Sequence, residues 1–210
     1  MEHHRTADKP YVPQQREGKQ VDLEAGVEFS DSDAAVDFFG LVRDRLFDIN
    51  RWNEIAAIPV AMFVLTDTYG GEPIDAPARV GSFVRIDIPG PGTATGKGYD
   101  WVMVADMEDM PYQYAAITLR PAIDPAQPGK GTGHFFTSSA SSTLIAELDG
   151  IQVRVRYHGR NEVINTDTDS TLDNIRNALV GGSAKLGLSY PQWQGLLDGL
   201  LAPEINRKDN

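Results

Sequence analysis

Hydrophobic and polar positions follow two rhythms along this chain, one of helices and one of strands. In SDSDAAVDFFGLVRDRLF the residues Ala35, Phe38, Phe39, Val42 and Leu46 recur at helical spacing, with Asp37, Arg43, Asp44 and Arg45 opposite. Ser30, Ser32 and Asp33 offer oxygens to cap that helix, and order is expected to begin just before it, at Val27-Glu28-Phe29. The rhythm then changes to period two. Residues 60–65 have strand character, Tyr69-Gly70-Gly71 reads as a turn, and GSFVRIDIP sets Val84, Ile86 and Ile88 on one face with Arg85 and Asp87 on the other. GYDWVMVADM and QYAAITLRP give two more strands.

In STLIAELDGIQVRVRYH the pair Asp149-Gly150 suits a two-residue hairpin turn. Counting outward pairs Leu148 with Ile151, Ala146 with Val153 and Leu144 with Val155 on one face. The other face pairs Glu147 with Gln152, Ile145 with Arg154 and Thr143 with Arg156. DSTLDNIRNALVGGSAKL returns to helical spacing, interrupted by Gly181-Gly182. Ser189-Tyr190-Pro191-Gln192 then caps a last helix whose apolar side is Trp193, Leu196, Leu197, Leu200 and Leu201. A strand, a helix, five or six antiparallel strands and a closing helical segment make an α+β protein: a curved antiparallel sheet with helices on one face.

With 210 residues, 41% hydrophobic and 23% charged, the chain is long enough for one substantial core. Residues 1–25 lack apolar periodicity and are expected to form a flexible leader, 26–203 a single domain and 204–210 a polar tail. A formal charge of −11 without a basic patch argues against nucleic acid and anionic membranes as partners. Apolar runs such as Ile55–Leu65 are too short to span a bilayer, and MEHHRTADKP lacks the apolar core of a secretion signal, so a cytoplasmic location is expected. The absence of cysteine removes disulfides, thiolate nucleophiles and Cys-ligated metals.

The stretch IPGPGTATGKGY, from Ile88 to Tyr99, invites comparison with phosphate-binding loops. Its spacing fails both the Walker and the dinucleotide patterns, and the strand-like YDWVMVADM behind it offers no helix N-terminus. The Gly90–Gly98 segment therefore reads as a connection between neighbouring strands. His158-Gly159-Arg160-Asn161-Glu162 is the densest group of acid–base and anion-binding side chains, with His158 and Glu162 as a candidate proton relay and structural ion pairs as the alternative. His134 and His158 lie far apart in sequence, and His3 and His4 stand near the chain start; no metal site and no cofactor is assigned. Ser138, Ser139, Ser141 and Ser142 lack a nucleophile elbow, so no catalytic residue is assigned either.

The opening helix followed by FDINRWNEI resembles the start of the START-like, helix-grip superfamily, with Asp48 in the link and Trp52 before the sheet. The closing helix after the hairpin is similar in placement to that fold's C-terminal helix, although Leu186-Gly187-Leu188 interrupts it. The resemblance implies a cavity between sheet and C-terminal helix and a role in binding an apolar or lipid-like small molecule. Trp52, Trp101, Tyr114, Phe135, Arg154, Arg156 and His158 are the expected pocket residues. The alternative is a structural or interaction protein, with the Arg154, Arg156 and His158 face or the Trp193 and Leu197 helix meeting a partner chain or a second copy. An enzyme using the His158 to Glu162 cluster is the third reading.

Overall fold

Seven antiparallel strands form one curved sheet in the order β1-β7-β6-β5-β4-β3-β2. The structure, a computed structural model, describes residues 11–58, 61–67, 71–87, 99–128, 134–164 and 190–203. The expected helix over residues 169–186, its interruption at 186–188, the Ser189 cap, the Gly90–Gly98 segment, the Tyr69-Gly70 turn, His3 and His4 lie outside those residues. The strands are β1 (Lys19–Glu28), β2 (Met62–Thr66), β3 (Phe83–Asp87), β4 (Asp100–Met110), β5 (Tyr114–Pro121), β6 (Ser141–Asp149) and β7 (Gln152–Glu162). The helices are α1 (Ser32–Phe47), the single turn α2 (Trp52–Ile55) and α3 (Tyr190–Leu200). This is an α+β architecture, an antiparallel sheet with helices packed on one face.

Helix α1 starts where Asp31 accepts the Ala34 amide at 2.9 Å, so the cap is Asp31 and not one of the flanking serines. Its Ala35, Phe39, Val42 and Leu46 are buried. They meet Leu144, Ala146, Val153 and Val155 in one continuous core that also takes in Ile117, Val104, Val84, Phe63 and the α3 leucines. One face of the sheet is therefore covered by helices. β3 and β4, the strands on either side of the Gly90–Gly98 connection, pair antiparallel, so a strand and not a helix stands behind the glycines.

Two expectations need correction. β1 begins at Lys19, not at Val27, so residues 19–25 belong to the sheet and not to a leader. KQVDLEAGVE already alternates, with Val21, Leu23, Ala25 and Val27 toward the core, but its weak apolar content masks the pattern. The β6–β7 hairpin turns on Gly150-Ile151, so Asp149 pairs with Gln152, Leu148 with Val153, Ala146 with Val155 and Leu144 with Tyr157. Gly150 has φ +62° while Ile151 does not have positive φ, the pattern of a type II′ turn with glycine first. Because the slip is two residues, the face assignments survive.

Helix α3 comes close to the 55–58 segment through glycines. A Cβ on Gly199 would collide with the Ile55 carbonyl and lie 2.7 Å from Ala56 Cα. Backbone atoms of Ile55 and Ala56 cannot swing aside as a side-chain tip can. Gly199→Ala is therefore expected to destabilise the fold by about 1–3 kcal/mol through overpacking, outweighing the helix-propensity gain of about 1 kcal/mol. Urea unfolding measures this directly, and a raised midpoint would contradict the close approach.

Candidate functional site

Strand alternation places an acid among the core residues of β4. Asp100 pairs with Ile86 and shares the helix-facing side with Val102 and Val104; it is 5% exposed. Burial pushes its carboxyl up to about 7, and the hydrogen bond from the Phe135 backbone offsets this only in part. The neighbouring His134 is also buried, and its Nδ1 accepts the Phe136 amide at 2.9 Å. That bond puts the neutral ring's proton on Nε2, and burial holds the imidazole's pKa down to about 4, so it is uncharged at neutral pH.

A second polar group forms on the same face through an irregularity in β7. The ladder steps from Val21 opposite Gly159 to Lys19 opposite Glu162, and Asn161 takes φ 54° within that bulge. The strained residue is held by its partners. Asn161 Oδ1 accepts the Arg16 amide at 2.7 Å, its Nδ2 donates to the Gln14 carbonyl at 3.1 Å, and its own amide donates to Gln15 Oε1 at 2.9 Å. The extra residue turns Glu162 toward the helix side. There the Tyr157 hydroxyl lies 3.4 Å from Glu162 Oε1 and 3.1 Å from Ser142 Oγ, and the Tyr157 ring stacks on Trp193 at 4.2 Å. Burial raises the pKa of both Tyr157 and Glu162. Asp100 opens β4, Ser142 opens β6 and Glu162 closes β7, so antiparallel pairing brings all three to one end of the sheet.

The seven residues expected to line a pocket divide between the faces. Trp52 is wholly buried on the helix side, its Nε1 toward the Arg45 and Leu46 carbonyls and its ring edge-on to Phe63 at 5.2 Å. Phe135 stands beside Asp100. Trp101 alternates to the opposite, outer face, where Gly71 approaches its ring. Tyr114 is also on that face, 4.9 Å from Tyr11, with its hydroxyl 2.5 Å from Glu108 Oε2. Arg154, Arg156 and His158 complete the outer set. Arg156 bridges Glu24 and Glu147, Arg154 lies near Asp149, and His158 Nδ1 sits 2.5 Å from Asp22 Oδ1. Burial lowers the His158 pKa despite Asp22 beside it.

The His158–Glu162 relay does not form. Simple alternation would put both on one face, but the Asn161 bulge separates them; Arg160 joins His158 on Asp22 while Glu162 faces Tyr157. The helix face with Trp193 and Leu197, the alternative partner surface, is buried in the core. Asp100 and Tyr157 were missed. The side of β4 that carries Asp100 was readable, since DWVMV sets it in register with Val102 and Val104, but its burial beside Phe135 was not. Nothing in the sequence marks the bulge that pairs Tyr157 with Glu162.

No protein-family model matches the chain, and no curated protein matches it in sequence. Among solved structures it is similar to the Zhui aromatase/cyclase from Streptomyces sp. R1128, at 14% identity over 87% of this chain and 92% of that one, with TM-score 0.42. A protein from Arthrobacter aurescens shares 11% identity over 90% and 92% of the two chains, with TM-score 0.41. Ginseng major latex-like protein 151 from Panax ginseng shares 14% over 80% and 99%, with TM-score 0.36. Among the described residues no helix is long and apolar enough to cross a membrane.

Proposed function

We propose that this protein binds a small, mainly apolar molecule between its sheet and C-terminal helix, at the end of the sheet that carries Asp100, Ser142, Tyr157 and Glu162. The observation that carries the reading is Asp100: a buried carboxyl on the helix-facing side, met by one backbone amide and, among the described residues, by no cation. A carboxyl in such surroundings costs the fold stability, a pattern common among groups kept for function. Kept protonated up to about pH 7, it donates a hydrogen bond to a carbonyl or hydroxyl of an otherwise oily ligand. Apolar walls with a few placed polar groups are the usual composition of a small-molecule site. Of the residues expected from the sequence, Trp52 and Phe135 remain on the ligand side of this proposal.

A neutral naphthyl ketone, prodan, tests it. Saturable binding with blue-shifted emission is expected, tighter at pH 6 than at pH 8, because the Asp100 proton is lost over that interval. Asp100→Asn keeps a hydrogen-bond donor at both pH values, so its binding is expected not to change with pH. Absence of saturable binding, or the same pH response in the variant, would sink the proposal. Native mass spectrometry of the purified protein adds the mass of any molecule it carries.

A further inference from the structure

On the outer face, the same bulge that turns Glu162 inward ties the chain's early residues across the sheet and leaves a cleft of about 520 Å³. Its lining includes Arg16, Glu17, Arg120, Ser139 and Asn161. Among the described residues neither guanidinium has a hydrogen-bond or ion-pair partner. That contrasts with Arg43, Arg156 and Arg160, each matched to carboxylates. With two cations and one carboxylate, the cleft reverses locally the sign of a protein whose formal charge is −11.

A second observation points the same way. The β5–β6 ladder runs to Leu119 opposite Ser142, so the next position sets Arg120 beside Ser141, on the outer face that Ser141 shares with Arg160. The Ser141 hydroxyl is buried and has no hydrogen-bond partner among the described residues. Ser141 is not part of the cleft's lining, and its unmatched hydroxyl shows that it accepts no hydrogen bond from the Arg120 guanidinium within the protein. Ser139, bonded to Thr137 at 2.8 Å, stands at the rim, and the Asn161 contacts to residues 14–17 fix the opposite wall.

We propose that this cleft binds a small organic anion, its carboxylate or phosphate group held by Arg16 and Arg120. Guanidinium is suited to either group because its planar fork matches their oxygens. The volume lies within the range of small-molecule sites, which leaves room for an organic body beside the anionic group. This site is on the face opposite the one proposed for the apolar ligand and is independent of it.

Calorimetric titration of the full chain with citrate and, separately, inorganic phosphate tests the assignment, the preferred probe indicating which oxyanion is taken. Saturation by at least one probe below about 10 mM is expected, with affinity falling about tenfold or more in Arg120→Gln and in Arg16→Gln and declining as salt is raised. Neither guanidinium has a partner among the described residues, so both variants should unfold as the parent does. Prodan binding should be unchanged in them, and anion binding unchanged in Asp100→Asn, which separates failure at one site from failure at the other. No saturation by either probe, or parental affinity in both arginine variants, would overturn the inference.

Discussion

The Asp100→Asn protein is expected to be more stable than its parent at pH 8 and equal to it near pH 4. In the folded chain the Asp100 carboxyl is raised by burial from 3.8 to about 7. The unfolded chain releases that proton near pH 4. Between those two values the native state holds a proton that the unfolded state has lost, so stability falls as pH rises, by about 1.4 kcal/mol per unit. Below about pH 4 both states are protonated and above about pH 7 both are ionised, so the penalty is absent at the acid end and constant at the alkaline end. It amounts to roughly 4 kcal/mol at pH 8. Asparagine never ionises and escapes it.

Urea midpoints of both proteins at pH 4 and pH 8 isolate this effect, since Asp22 and Asp109, whose hydrogen bonds lower their pKa against burial, and Glu162, whose pKa burial raises, titrate alike in parent and variant. An equal stability difference at the two pH values would mean that Asp100 is not the buried titrating acid. A gain in stability at pH 8 together with loss of the pH response of ligand binding would trace both effects to the one carboxyl.

Trp193→Ala is the second large effect. Trp193 is 7% exposed, stacks on Tyr157 at an interplanar angle of 21° and lies 6.5 Å from Phe63. Truncating such a ring costs about 3–5 kcal/mol in lost burial and cavity formation. The stack adds about 0.5–1.5 kcal/mol. Trp193→Phe keeps an aromatic face against Tyr157 and should lose much less. Hydrogen exchange should show the loss concentrated in α3 and at the ends of β6 and β7, where Tyr157 meets Ser142. A fall below about 1 kcal/mol for the alanine variant would show that α3 does not depend on this anchor.

The strands beyond α1 were legible because each is a short period-two pattern bounded by turn residues: Val84 and Ile86 are buried as their alternation requires, and so are Leu144, Ala146, Val153 and Val155. The hairpin register was less legible. Asp149-Gly150 and Gly150-Ile151 both satisfy a two-residue turn, and only backbone geometry distinguishes them. β1 shows the opposite limit, since alternating Val, Leu, Ala and Val among acids becomes a strand only once β7 offers Arg154, Arg156 and His158 opposite Gly26, Glu24 and Asp22.

For the candidate site, residue types were visible and their company was not. The Trp52 and Trp101 rings look equivalent in sequence yet occupy opposite sides of the sheet. His158 and Glu162 stand four residues apart, and one inserted residue sends them to different faces.

Local order of apolar and polar residues determined the element sequence, the α+β class and which side of each regular strand meets the helices, because a period of two or of 3.6 is set by backbone geometry within a few residues. Tertiary structure decided the bulge at Asn161, the burial of Asp100 and the cleft beside Arg120. Each depends on segments distant in the chain, residues 14–17 against 161 and Phe135 against Asp100, whose meeting no local period encodes.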